Sequence, residues 1–266
     1  MQKAKQKPVR VVKKPLLYGN WHGKDALRQG RKLIPGMLVV IFLYFVLSLM
    51  LNFDALWLRI GSNVIVVLAA VYYMYSNGIQ RGESDAATAE ITYQRRKEGR
   101  PLAEADEQAG YHPLKGYFAA FIGALPLLVI AIAFAILTKP AVYEVGGMPS
   151  WVQAFMRQTE FGDALRYYET GASIGAYEIF RIVGRAISMP FINVGTALGP
   201  AIELLFERLS PLWGLIAPPG YGVGCSQGEA LRARIHTGIA INARKRQRRQ
   251  KRERRERARK EPEQLV

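Results

Sequence analysis

Two apolar runs, residues 33–53 and 117–137, constrain this chain more than any other feature. Each is 21 residues long without a single Asp, Glu, Lys, Arg or His. At about 1.5 Å per residue, a helix of that length crosses the ~30 Å hydrocarbon layer of a bilayer. A third run, 56–75, is joined to the first by Asp54 and Ala55 alone, which predicts an antiparallel helical hairpin. Its one charge, Arg59, lies near the hairpin end, where a long side chain can reach the headgroups. Pro126 inside the 117–137 run predicts a kink that neighbouring helices must accommodate. The apolar half of the composition is thus blocked into spans and not spread as the stripe of a soluble core.

The segments between the spans read differently. Residues 77–116 are polar and punctuated by Gly78, Gly82, Gly99, Pro101, Gly110 and Pro113, which predicts a cytosolic loop holding one helix near 84–98. Residues 139–171 read as an external loop. In it Ser150 precedes Trp151, Val152, Phe155 and Met156 at helical spacing, so a surface-lying helix with Trp151 as interfacial anchor is expected. Residues 172–224 are ambiguous: Glu178, Arg181 and Arg185 precede an uncharged run, and Glu203 and Glu207 follow it.

Charge distribution sets the expected topology. The net charge of +16 comes from two ends: residues 1–32 carry +9 and residues 244–260 carry +10, leaving −3 between them. Both basic ends belong in the cytosol by the positive-inside rule, which demands an even number of crossings. A fourth crossing is therefore expected near 186–206, a segment broken by Pro190, Gly195, Gly199 and Pro200, with 209–217 interfacial or re-entrant.

The tail carries the clearest functional signal. Ser226 and Glu229 stand at the spacing of a capping box, and Leu231, Ile235 and Ile239 share one helical face beyond it. Past Ala243 come Arg244, Lys245, Arg246, Arg248, Arg249, Lys251, Arg252, Arg254, Arg255, Arg257, Arg259 and Lys260, with Glu253 and Glu256 four residues from basic partners. Nine of these twelve cations are Arg, against three of ten in the N-terminal arm, which leans toward bidentate pairing with phosphate. The tail has no aromatic residue after Tyr221, so any nucleic-acid binding is expected to be blind to sequence and sensitive to salt.

Other patterns carry less. Glu178, Arg181, Arg185, Glu203 and Glu207 form a candidate intramembrane cluster, either paired across two helices along a polar path or sitting at the headgroup level. Residues 218–224, Pro-Pro-Gly-Tyr-Gly-Val-Gly, read as a juxtamembrane hinge, since neither a potassium filter nor a phosphate loop is complete. Gly171-Ala172-Ser173-Ile174-Gly175 matches a nucleophile elbow in letters only, with His236 of the tail as the sole later histidine. One cysteine, Cys225, permits no intramolecular disulfide, and three scattered histidines suggest no metal site.

The expected molecule is all-α: a polytopic integral membrane protein of about four transmembrane helices with interfacial amphipathic helices and a basic C-terminal helix. Its expected plan is a basic cytosolic arm (1–32), a hairpin (33–76), a cytosolic loop (77–116), a third span (117–138), an external loop (139–171), a broken fourth span (172–224) and a cytosolic basic tail (225–266). The function expected is that of a non-enzymatic adaptor in a bacterial plasma membrane, without cofactor, whose tail engages anionic lipid or ribosomal RNA. A small transporter or channel subunit using the Arg/Glu cluster is the alternative. Protein partners and oligomeric state have no signature in the sequence.

Overall fold

The computed structural model describes residues 11–138, apart from 104, 105 and 108, and residues 176–260; the side chains of 176–179 and 257–260 fall outside the description. The described residues form helices α1 (Lys24–Met50), α2 (Leu56–Lys97), α3 (Lys115–Leu137), α4 (Ala176–Leu198), α5 (Pro200–Arg208), α6 (Ser210–Gly214), α7 (Pro218–Ser226) and α8 (Gly228–Lys260). Their one trace of β structure is a single bridge between Tyr18 and Tyr111. Three helices, α1, α2 and α3, are long and apolar enough to cross a membrane.

The chain divides into two compact units, and α1, α2 and α3 each contribute to both. The apolar unit comprises Lys32–Tyr73 and Phe121–Pro218. Within it α1 buries a narrow stripe, Leu33, Met37, Val40, Tyr44 and Ser48, and α2 buries Asn63, Val66 and Ala70. Most other side chains on these helices are also apolar yet point outward, with Phe42 65% and Trp57 73% exposed. A helix that is apolar all round but buried along one stripe suits a hydrocarbon surround. Polar side chains tie the helices where they meet: Asn193 Nδ2 donates to the Ser48 carbonyl at 2.8 Å and Ser210 Oγ to the Ala131 carbonyl at 3.0 Å. Trp213 stacks on Phe191 with ring centres 4.1 Å apart, and its Nε1 donates to the Phe206 carbonyl at 3.0 Å.

The second unit comprises Met1–Arg31, Met74–Ala120 and Pro219–Val266. Its key contact is the approach of α7 to α2. A Cβ placed at Gly78 would strike the Tyr221 carbonyl, one at Gly82 the Cys225 backbone, and one at Gly224 the Tyr75 carbonyl. The two backbones are therefore in contact where side chains would hold them apart. Small residues Ala86, Ala89, Ala119, Ala120 and Ala233 continue the tight packing.

Several expectations change here. The basic arm of residues 1–32 turns helical at Lys24, and residues 77–97 are not a loop but the unbroken continuation of α2. Gly78 and Gly82 mark a helix–helix contact in place of the turns their composition suggests. The Pro218–Gly224 stretch is helix α7 and not a hinge: Gly224 faces the α2 backbone and Gly222 the Tyr117 ring of α3. Residues 186–206 are not one spanning helix: Gly199, at φ +113°, ends α4, and α5 folds back so that Gly195 lies against Glu203 and Phe206. Pro190 bends α4 at Ser188, whereas α3 runs through Pro126 as one helix. No capping box forms at Ser226, because its Oγ donates to the Val223 carbonyl and Glu229 is engaged by Tyr18. The helix expected around Trp151 and the Ser173 loop lie outside the described residues.

The backbone contact at α2 and α7 has a direct test. Gly82→Val should lower folding stability by about 1–3 kcal/mol through overpacking, read as a lower unfolding midpoint in detergent. Gly238→Ala, where a Cβ meets nothing within 4 Å, should instead be neutral or stabilising by up to about 1 kcal/mol.

Candidate functional site

The basic tail is the distal part of α8, and its base is anchored by ion pairs to α2. Arg232 Nε lies 3.2 Å from Glu90 Oε2 and its Nη1 3.0 Å from Glu83 Oε1. His236 Nε2 meets the other oxygen of Glu90 at 2.5 Å. Arg232, Ala233, His236 and Thr237 thus make the docking face, at the i, i+3, i+4 spacing of one helix side. The apolar face read from the sequence does not: Leu231 and Ile235 are half-buried and Ile239 is 60% exposed. A polar docking face escapes a search for apolar periodicity, and Arg232 and His236 were missed for that reason.

The N-terminal arm closes over this joint. Val12 N–H donates to Thr237 Oγ1 at 3.0 Å, Leu17 N–H to the Ala89 carbonyl at 3.3 Å and Gly19 N–H to the Tyr111 carbonyl at 3.2 Å. Tyr18 hydroxyl donates to Glu229 Oε2 at 3.3 Å, while Tyr111 hydroxyl donates to the Ser226 carbonyl at 2.7 Å. Burial raises the Tyr18 and Tyr111 hydroxyls above the ordinary phenol range, so both remain donors at neutral pH.

Beyond the joint, every side chain from residue 242 to 256 is exposed. Arg244, Lys245, Arg246, Arg248, Arg249, Lys251, Arg252, Arg254 and Arg255 all belong to this stretch, and the side chains of Arg257, Arg259 and Lys260 lie outside the described residues. Among the described residues, Arg249 alone of these nine pairs with an acid, Glu253 at 2.9 Å. Lys245, Arg248, Arg249, Lys251, Arg252 and Arg255 enclose a shallow basic cleft. The cations are therefore presented to solvent and not consumed internally.

A second charge cluster, not anticipated from the sequence, lies inside the same unit. Lys115 is 1% exposed, and its Nζ sits 2.5 Å from Asp25 Oδ2 and 3.6 Å from Asp85 Oδ2, with the Ala109 carbonyl at 3.1 Å. Arg81 Nε lies 3.1 Å from Asp85 Oδ1, and Gln29 Nε2 donates to Asp85 and to Asp25. Two carboxylates and two cations balance, as burial of charge requires. Burial pushes the Asp85 carboxyl above its ordinary value, against the opposing pull of Lys115 and Arg81. Burial likewise pushes the nearby Cys225 thiol up to about 12, leaving it an unreactive core residue.

The Arg/Glu cluster read from the sequence is brought together within the apolar unit. Arg185 bridges Glu203, at 2.6 Å, and Glu207, while Arg181 Nη2 lies 3.4 Å from Glu207 Oε1. Glu207 is 1% exposed, so α4 and α5 close over their own ion pairs. The Glu178 side chain lies outside the description, as does Trp151. Arg59 is half-buried, and its carbonyl accepts from Asn63 Nδ2 at 2.8 Å. Among the described residues no group of His, Cys, Asp and Glu is arranged to hold a metal ion.

The chain matches no protein-family model, no curated protein and no solved structure at a significant level. Its chemistry must be read from its own side chains.

Lys115→Met should destabilise the fold by about 3–5 kcal/mol by leaving Asp25 and Asp85 under-neutralised, and Asp85→Asn in the same chain should recover part of that loss in a thermal melt. The Asp85 carboxyl binds its proton more tightly folded than unfolded. Between its ordinary value of 3.8 and its raised folded value, stability therefore falls as pH rises. The Lys115→Met deficit should accordingly shrink when melts are repeated at progressively lower pH.

Proposed function

We propose that this protein is a membrane-anchored adaptor in which the three apolar helices insert into a membrane and the basic end of α8 binds polyanions. The observation that carries this reading is the exposed array from Arg244 to Arg255, with nine described cations and one internal ion pair among them. Cations near an anionic surface each contribute about 1 kcal/mol of attraction, so an array of this density favours polyanions over neutral surfaces by a wide margin. The docking of α8 through Arg232 and His236 supports an adaptor role, because it fixes the array to the anchored chain.

The reading extends to a plasma membrane with both termini cytosolic, on the strength of the basic ends flanking the apolar helices. Three crossings with both termini cytosolic leave one further crossing required by parity; α4, at 23 residues, is as long as α3 but is not among the helices apolar enough to span. Transport through Arg181, Arg185, Glu203 and Glu207 has less support, since these charges neutralise one another within 4 Å.

In nanodiscs of uncharged lipid, the full chain should bind anionic polymers with a log K against log salt slope of about −5 or steeper, for at least six phosphates engaged. Removal of residues 244–260 should abolish that binding, and retention of tight binding would refute the assignment. Topology is open to an impermeant maleimide on Gln250→Cys in a Cys225→Ser background, with labelling expected only after permeabilisation.

A further inference from the structure

We infer that the tail's partner is a folded RNA, held by its phosphate backbone in a concavity that surrounds α8, and not a lipid surface; this rests on the polyanion-binding reading above. Three observations carry it. The first is the circular distribution of charge. At about 100° per residue, Lys251, Arg244, Arg255, Arg248, Arg252, Lys245 and Arg249 lie on one side, within about 160° of arc, and Arg246 and Arg254 lie on the other. No sector wider than about 80° lacks a cation.

A flat anionic membrane meets one side of a helix. With its side chains a helix is about 10–12 Å across, and salt screens charges beyond about 8 Å, so with the richer side of α8 on lipid, Arg246 and Arg254 are lost to the interaction. Phosphates in a folded RNA can face a helix from several directions at once, and every sector of the tail then finds a partner.

The second observation is what the tail lacks. From residue 244 to 260 the sole apolar side chain is Ala258. A helix that settles into a membrane interface needs an apolar face to bury among the acyl chains, and α8 has none here. Nor does it have an aromatic residue, so the stacking that holds unstructured single strands is absent and the contact must be to backbone phosphate.

The third is chemistry and rigidity together. Within the exposed cleft Arg248, Arg249, Arg252 and Arg255 outnumber Lys245 and Lys251, and guanidinium pairs a phosphate through two parallel N–H donors where ammonium acts as a point charge. The cleft lies on the same continuous helix whose base is tied to Glu83 and Glu90, so the backbone positions that carry the donors are fixed relative to one another. Geometry of that kind favours a fixed phosphate array over a fluid headgroup layer.

The test uses the full chain in phosphatidylcholine nanodiscs with three probes: bulk transfer RNA, polyuridine of equal length, and vesicles of phosphatidylglycerol and phosphatidylcholine in equal parts. A variant carrying Arg248→Lys, Arg249→Lys, Arg252→Lys and Arg255→Lys retains all the charge. Transfer RNA should bind about tenfold tighter than polyuridine and tighter than the vesicles, and the lysine variant should lose about tenfold for transfer RNA with vesicle binding unchanged. Vesicles or polyuridine binding as tightly as transfer RNA, or a lysine variant with undiminished transfer RNA affinity, would overturn the folded-RNA assignment and leave a generic polyanion tail. Failure to bind any of the three would remove both readings.

Discussion

The backbone contact between α2 and α7 is the constraint on which the polar unit depends. Gly78, Gly82 and Gly224 bring two helices so close that a carbonyl occupies the place of a missing side chain. Contacts of this kind gain from dense dispersion over a short length and tolerate no added volume. They also carry α8 onto α2, because α7 ends at Ser226 and α8 begins at Gly228, which itself abuts the Gly82 backbone. The Arg232 and His236 pairs with Glu90 are possible only once that approach has been made.

Charge is handled in two opposite ways. Around Lys115, four ionic groups from α1, α2 and α3 are buried and satisfy one another, so their value lies in fixing one arrangement of the helices. A buried ionic set of this type is costly to break and adds little when intact. On α8 beyond residue 242 the cations are exposed, of one sign and mostly without internal partners among the described residues. Such an array repels itself and is stabilised by a polyanion. The interior set specifies structure, and the exterior set remains available for binding.

In the apolar unit the helices meet through shape and a few polar ties. Gly184 admits the Phe134 ring, and Asn193 and Ser210 donate to carbonyls of neighbouring helices. Where the surround is hydrocarbon, apolar surface gives little drive for helices to associate, so small residues and interhelical hydrogen bonds set the packing. The ion pairs of Arg181 and Arg185 with Glu203 and Glu207 add a lock between α4 and α5. That lock compensates the turn at Gly199, which separates the two helices in sequence and lets them fold back on each other.

The sequence by itself determined the helical class, three long apolar helices and the position of the exposed cations. Each follows from composition over a window: uncharged length fits a bilayer, and like charge stays in water. What it left open was decided by contacts distant in the chain. Gly78, Gly82 and Gly224 have the composition of turns and hinges, yet they lie inside helices because α7 finds α2 across about 140 residues. Ser226 and Glu229 match a cap in spacing, but Tyr18, brought by the arm, takes the glutamate. The partners of Lys115 and Arg232 were illegible for the same reason: an ion pair depends on which side chains tertiary packing brings within 4 Å, and local spacing carries no record of that.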